Sequence, residues 1–260
     1  MGVHNLAKTN HSKSRWQRFL DNDIVYSFFT TPGAIIAASI TLIAITAAFA
    51  APLIAPYNPF DPAQISLWDG KLPPAWTDGG SSAYLLGTDN QGRDMLSTIL
   101  YGGRISILVG LAAVFLGMLL GVTLGVISGY FGGLTDTIIM RIADVQLTIP
   151  GILVAILING IGRAALPLEL REEFAIYVVI VAIGLTDWPQ FARVARGATL
   201  VEAEKEYVQA AKLIGLPKFT IILRHILPNT LRPVLVIATI GLALAIIAEA
   251  TLSFLGQGIP

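Results

Sequence analysis

The sequence predicts an all-α, polytopic membrane protein with five transmembrane helices. The chain has 260 residues, of which 54% are hydrophobic and 13% charged, whereas ordinary soluble domains carry roughly 25% charged residues. Its mean hydropathy is +0.70, and the apolar residues form blocks of about the 20 residues that cross a bilayer. Blocks of this length predict helices, because a helix satisfies its own backbone hydrogen bonds in lipid. The formal net charge of zero and the absence of cysteine favour neither nucleic-acid binding nor thiol chemistry.

Five apolar blocks are the predicted transmembrane helices. The first has a longer apolar region and a longer polar lead-in than a cleaved signal peptide. The last is followed by the turn-like ending FLGQGIP, so a sixth span, missing at the C-terminus, is the expected continuation. The five blocks cover residues 33–55, 105–130, 138–159, 174–192 and 234–255.

Lysine and arginine residues indicate the orientation of these spans. The loop 57–103 contains only Lys71 and Arg93, whereas the tail 1–32 and the segment between the fourth and fifth spans are rich in cations. The cations of these two segments are Lys8, Lys13, Arg15 and Arg18, and Arg193, Arg196, Lys205, Lys212, Lys218, Arg224 and Arg232. Because cytoplasmic segments carry the excess of Lys and Arg, the N-terminus and residues 207–229 are both predicted to lie inside.

The loop 57–103 is the longest polar stretch. Four prolines, at positions 59, 62, 73 and 74, exclude a continuous helix from its first half. The loop is predicted to be a proline-rich outer cap, with a contact surface for an external partner as the alternative. Further on, Thr88 or Asp89 is predicted to cap a helix that begins near Gln91 or Arg93.

A row of glycines marks the second span. The four recur at every fourth position and are Gly117, Gly121, Gly125 and Gly129. On a helix they form one stripe where a second backbone approaches closely, which drives helix packing in lipid. The stripe predicts packing within the chain or, alternatively, a sliding or subunit-contact face.

Glu249 is a carboxylate well inside the fifth predicted span. An intramembrane carboxylate is costly and is expected to face the bundle interior or an aqueous path. It either lines a translocation route or hydrogen-bonds a neighbouring helix. A secondary transporter or channel that uses Glu249 for ion or proton coupling is the alternative function. With three histidines, no cysteine and no HExxH pattern, no catalytic or metal site is predicted.

Residues 207–229, YVQAAKLIGLPKFTIILRHILPN, interrupt the apolar pattern between two spans. Helix-favouring residues lead to Gly215, which is suited to end a helix, and Pro217 prevents its continuation. Ala210 and Ala211 are small enough to let the surface of a partner approach. The segment is predicted to be a short helix that docks into a groove, or else a solvated loop.

This segment resembles the EAA loop of bacterial ABC-importer permeases, which has two alanines, a following glycine and a later Leu-Pro. The glutamate that usually opens the pattern is Gln209 here, with Glu206 one turn earlier. Two further stretches, LLGTDNQGRDMLSTILYGGRISILVG and EATLSFLGQGIP, resemble the dipeptide/oligopeptide/nickel branch and its C-type permease subunit. The resemblance covers nearly the whole chain. It assigns coupling to ATPases to Glu206, Gln209, Ala210, Ala211, Gly215, Leu227 and Pro228.

The resemblance implies a type I ABC-importer permease fold in the bacterial inner membrane. Its parts would be a cytoplasmic tail (1–32), a first transmembrane helix (33–56), a periplasmic loop (57–103) and a permease core (104–260) with a coupling loop at about 196–232. The implied partners are a second homologous permease, two ABC ATPases and a periplasmic binding protein that delivers peptides. No GxxxxGK[ST] pattern occurs, so ATP and Mg²⁺ are expected on the ATPases, with no cofactor in this chain.

Overall fold

The structure, a computed structural model, describes residues 23–258 and their side chains from residue 27 onward. Within that range every regular element is helical, which confirms the all-α prediction. The chain divides into two compact units, Met1–Gly103 and Arg104–Pro260. The cations of the tail that indicated its orientation, Lys8 to Arg18, lie outside the described residues.

The first unit begins with α1 (Asp23–Thr30), α2 (Pro32–Phe49) and the single turn α3 (Ala51–Ile54). Pro32 occupies the start of α2, where its missing N–H leaves no bond unmade. The apolar side chains of α2 are mostly exposed, with Ile40 at 62% and Ile43 at 65%. An apolar helix of this kind, with little of its surface buried in the protein, is suited to contact lipid.

The loop that follows α3 is folded on itself. It contains two short 3₁₀ turns, Pro62–Gln64 and Leu67–Asp69. The hydroxyl of Thr88 bonds the carbonyl of Asp69 and accepts the N–H of Leu72 at 2.9 Å. Asp89 pairs with the side chain of Arg93 at 2.7 Å. These contacts hold the two halves of the loop together.

Asp94 caps the next helix, so the prediction that Thr88 or Asp89 does so is wrong. Its carboxylate Oδ2 accepts the backbone N–H of Ser97 at 2.8 Å, and α4 (Met95–Phe131) begins one residue after it. Asp89 instead accepts the N–H groups of Gln91 and Arg93 in the preceding turn. The sequence placed the cap too early because four capping-type residues, Thr88, Asp89, Asn90 and Asp94, occur within seven positions.

The second unit contains the remainder of α4 followed by α5 (Gly133–Leu147), α6 (Gly151–Ala165) and α7 (Arg171–Ala203). The predicted span over 138–159 is not one straight helix, because the chain bends by 98° between α5 and α6. Pro150 stands at the bend with extended backbone angles, and proline has no N–H to continue the α5 hydrogen bonds. A 3₁₀ turn, Leu168–Leu170, connects α6 to α7.

The remaining elements are α8 (Glu206–Leu213), α9 (Lys218–Ile221), a π-helical turn (Ile222–Ile226) and α10 (Leu227–Phe254). Residues 218–254 form one continuous helical stretch that includes Pro228. Because Pro228 has no N–H, it cannot bond the carbonyl four residues earlier. The helix is widened to a π turn over Ile222–Ile226, two residues before Pro228.

Three helices among residues 23–258 are long and apolar enough to cross a membrane, or four spans if the bent α5–α6 pair counts as one. They are Pro32–Phe49, Met95–Phe131 and Lys218–Phe254. The predicted fourth span falls within α7, which has 33 residues but carries charged residues at both ends. The count of five spans therefore stays a prediction.

Within the second unit, the core lies among α4, α6, α7 and α10. Its fully buried members include Val109 of α4, Ile183 and Phe191 of α7, and Val234 and Leu252 of α10. Long helices are thus held side by side by interlocking apolar side chains, and they support the short α8 at one end of α7.

Candidate functional site

The segment from Glu206 to Pro228, called the coupling segment below, begins with a short helix, α8, between two defined turns. The chain leaves α7 through Lys205, whose extended backbone starts α8. At the other end, Leu216 N–H bonds Ala211 O and Gly215 N–H bonds Lys212 O, each at 3.1 Å. This pair of bonds is a Schellman motif, and Gly215 supplies the positive φ of 78° that it requires.

One face of the coupling segment packs against the chain itself. Val208 is fully buried and Ala211 is 4% exposed, and both contact Ile221 and Ile226. Ala211 therefore contacts this chain, and its part in coupling stays a prediction. Ala210, one position earlier, is exposed and remains available.

The opposite face of the coupling segment exposes large apolar side chains. Leu213 is 88% exposed, Ile214 75% and Phe219 71%. Lys212 and Lys218 lie beside them, and their ammonium groups sit 5.8 and 5.6 Å from the rings of Tyr130 and Phe131. Large exposed apolar side chains close together in sequence, with cations beside them, are typical of an interaction surface. We call Leu213, Ile214 and Phe219 the apolar tip.

Gln209 closes the end of α7. Its side-chain Nε2 donates to the carbonyl of Ala203 at 2.9 Å, and Lys212 Nζ lies 3.4 Å from the same oxygen. Ala203 is the last residue of α7, where carbonyls lack partners within the helix. The amide of Gln209 can donate a hydrogen bond to this oxygen. The ionised carboxylate of a glutamate could not, because it has no hydrogen to donate, and this explains why glutamine suits the position.

A polar cluster that the sequence did not single out ties the coupling segment to α7 and α10. Asn229 Nδ2 lies 2.9 Å from Glu202 Oε1 and 3.0 Å from the hydroxyl of Tyr207. Glu202 is 5% exposed and also pairs with Lys205 at 2.7 Å. The asparagine directly after Leu227 and Pro228 is the signal that sequence reasoning overlooked. Through this cluster the end of α7, α8 and the start of α10 are joined.

The glycine row faces α7. A Cβ added at Gly121 would lie 2.5 Å from Phe191 Cβ and 2.5 Å from Trp188 O, and one at Gly125 would lie 2.4 Å from Ala192 O. A Cβ added at Gly117 or Gly129 would lie 3.0 or 2.9 Å from a backbone carbonyl oxygen of α7. All four are therefore close-approach positions within this chain, along the helix that ends at the coupling segment.

Beyond the glycine row, charged residues join α4, α5 and α7. Arg196 donates two hydrogen bonds to Asp136, with its Nη2 2.6 Å from Oδ2, and the hydroxyl of Ser128 bonds the same carboxylate. Asp144 pairs with Arg193, which lies 49 positions away on a neighbouring helix.

Glu249 is buried and hydrogen-bonded. Its exposed fraction is 5%, and its two oxygens accept from Ser106 Oγ at 2.7 Å and Ser253 Oγ at 2.9 Å. Ser106 is on α4, so this carboxylate links two helices. Of the two roles that the sequence left open, the contacts favour the bond to a neighbouring helix.

The described residues hold no group of three or more His, Cys, Asp or Glu arranged to bind a metal ion. The site consists of a short helix, a polar cluster at its base and tightly packed long helices. With long apolar helices suited to cross a membrane, this arrangement defines a helical membrane protein.

Comparison with known proteins gives the family. Residues 121–260 match the model of the binding-protein-dependent transport system inner membrane component. The chain belongs to this family, which confirms the resemblance to ABC-importer permeases.

Relatives extend the match beyond these residues. The dipeptide transport system permease protein DppC of Haemophilus influenzae is 40% identical over 233 residues, covering 90% of this chain and 75% of the relative. DppC of Escherichia coli K12 is 41% identical, with 89% and 73% covered. The oligopeptide permease OppC of Bacillus subtilis is 35% identical, with 92% and 72% covered. The similarity thus runs through both units of the chain.

Proposed function

We propose that this chain is a permease subunit of an ATP-driven importer that moves di- or oligopeptides across the bacterial inner membrane. Family membership supports a transport subunit, and the relatives are named for dipeptide, oligopeptide and glutathione transport. The proposed partners are a second related permease, two ATPases that bind ATP and Mg²⁺, and a periplasmic binding protein. The N-terminus and the coupling segment are proposed to face the cytoplasm.

The observation that carries the proposal is the apolar tip. Three large apolar side chains, each more than 70% exposed, stand on a segment otherwise rich in charges. Exposing them to water is unfavourable, and burial against a partner returns about 25 cal/mol per Å² of apolar surface. An amphipathic helix seated in a groove is a recurrent way to satisfy such a surface. We assign this groove to an ATPase subunit.

Force on the tip reaches the spans through named contacts. Movement of α8 pulls on Glu202 and Asn229, which belong to α7 and α10. The glycine row holds α4 against α7 at backbone distance, so the three helices move together. Closely packed interiors switch between discrete arrangements rather than deforming gradually, as alternation between inward-open and outward-open states requires.

The alternative, a secondary transporter or channel coupled through Glu249, gains no support. The family is one of binding-protein-dependent systems, and both oxygens of Glu249 already accept hydrogen bonds from serines. A group that picks up and releases ions during transport needs access that a 5% exposed fraction does not provide in this conformation.

The test is retention of ATPase subunits by an affinity-tagged chain expressed with its partners. We expect Ile214→Asp to lower the retained ATPase at least tenfold and to abolish ATP-driven dipeptide uptake, with unchanged membrane insertion. Leu67→Asp is the matched control, because Leu67 is 77% exposed but lies in the loop 57–94. Equal retention of ATPase by both variants would contradict the proposal.

A further inference from the structure

A cavity of about 370 Å³ opens among α6, α7 and α10. Its walls are mainly apolar, with Ile152, Ile183 and Ile247 among the lining residues, and Asp187 is the carboxylate among them. The two threonines of the lining, at positions 186 and 251, each bond a carbonyl of their own helix at 2.7 Å. Asp187 is therefore the polar side chain left for a ligand.

Asp187 and Glu249 differ in what satisfies them. Glu249 accepts hydrogen bonds from two serines, whereas Asp187 has no hydrogen bond or ion pair with any side chain or backbone group in the described part of the chain. Asp187 is partly buried, and burial without a partner is costly for a carboxylate; within a membrane bundle such a group marks a substrate or ion path. The structure thus moves the candidate translocation carboxylate from Glu249 to Asp187.

The turn of α7 that carries Asp187 is held in place from outside the helix. Pro189 has no N–H, so the carbonyl of Leu185 loses its partner four residues on. Gln146 of α5 supplies the missing donor, with Nε2 2.6 Å from Leu185 O, and it accepts Trp188 Nε1–H at 3.0 Å. These bonds hold the carbonyl of Leu185 and the indole of Trp188, on either side of Asp187, and so help to position the carboxylate, as a binding group requires.

We propose that Asp187 binds the protonated α-amino group of the transported peptide inside this cavity, an inference that rests on the proposed function. An ammonium group brings a positive charge and three N–H donors, and a charge-assisted bond to a carboxylate is strong in apolar surroundings. The cavity volume falls within the roughly 300–1,000 Å³ of small-molecule sites. Its apolar walls accept varied peptide side chains, so the site recognises the protonated α-amino group that all these peptides share.

The experiment uses the complete importer in proteoliposomes with its binding protein and a dipeptide that carries the photoreactive residue benzoylphenylalanine. Mass spectrometry locates the cross-link after illumination. We expect labelling of residues 152 and 247, displaced by excess Ala-Ala but not by N-acetyl-Ala-Ala. Asp187→Asn should lower the labelling and the ATP-driven uptake at least tenfold, and Asp187→Glu should restore most of both.

Glu173→Gln is the matched control, because this carboxylate is exposed on the same helix, α7, and does not line the cavity. It should leave labelling and uptake at wild-type levels. Unchanged labelling and uptake in Asp187→Asn, or equal competition by the acetylated peptide, would overturn the inference while the importer function stands. If the wild-type complex takes up no peptide at all, the proposed function and this inference fail together.

Discussion

The side-chain amide of Asn229, at the start of α10, lies 2.9 Å from the buried carboxylate of Glu202, near the end of α7. These residues are 27 positions apart in the sequence, and the coupling segment lies between them. The bond therefore closes the base of the segment, so that α8 is attached to two long helices instead of hanging from one.

Removing this bond should separate ATP hydrolysis from transport. In Asn229→Ala, Glu202 and Tyr207 lose a donor at a partly buried site, which costs about 1–3 kcal/mol. We expect ATP-driven peptide uptake to fall severalfold while ATPase subunits remain bound. Thr239→Val is the control on the same helix, because its hydroxyl bonds only its own helix at Val236 O. Uptake that is equal in the two variants would rule out a coupling role for Asn229.

A single methyl group in the glycine row should destabilise the bundle. Gly121→Ala places a Cβ 2.5 Å from Phe191 Cβ and Trp188 O, and overpacking of this kind costs about 1–3 kcal/mol. Gly197→Ala on α7 is the matched control, since no atom lies within 4 Å of its added Cβ. Thermal unfolding in detergent should show a lower midpoint for Gly121→Ala and an unchanged or higher one for Gly197→Ala. A wild-type midpoint for Gly121→Ala would mean that α4 and α7 separate without cost.

The two alanines of the coupling segment should respond differently to arginine. Ala211→Arg forces a charge into the cluster of Val208, Ile221 and Ile226, so it should unfold the segment and raise its cleavage by chymotrypsin severalfold. Ala210→Arg adds the same side chain to an exposed position. It should keep wild-type resistance to the protease and lose only the bound ATPase. The same protease sensitivity in both variants would contradict the assignment of their faces.

The turn around Asp89 in the loop 57–94 should loosen in acid. Burial tends to raise the pKa of Asp89, but hydrogen bonds from the Arg93 N–H, the Arg93 side chain and the Gln91 N–H outweigh it and hold the pKa below its ordinary value of 3.8. A depressed folded-state pKa contributes stability above the unfolded value, and that stability is lost as pH falls through the folded value. Hydrogen exchange across residues 89–93, corrected for its intrinsic pH dependence, should therefore show protection at pH 7 that declines below about pH 4.

The variant Asp89→Asn supplies the control for this effect. It cannot ionise, so its protection should be lower at pH 7 and should not change between pH 7 and pH 3. A wild-type turn whose protection is equally independent of pH would show that the pairing of Asp89 with Arg93 does not stabilise it.

Regular patterns in the sequence predicted the long helices and the close-approach glycines, because hydropathy and fourfold spacing depend on local geometry. The role of Gly215 as a helix terminator was also predictable, since it depends only on the residues next to it in the sequence. The partners of Asp144 and Asn229 could not be predicted, because they lie 49 and 27 positions away and depend on how the helices assemble. The exposure of Ile214 and the burial of Ala211 differ for the same reason, since alternate faces of one short helix meet different surroundings.

The π turn at Ile222–Ile226 gives the long helix 218–254 a means of rotation. A π turn holds one residue more than the α-helical turn it replaces, and one residue corresponds to about 100° around a helix axis. Converting this turn to α-helix would swivel everything before Ile222 by that angle while the helix stayed intact. A change of register confined to these five residues would turn the coupling segment relative to the span and leave the hydrogen bonds of the rest of the helix in place.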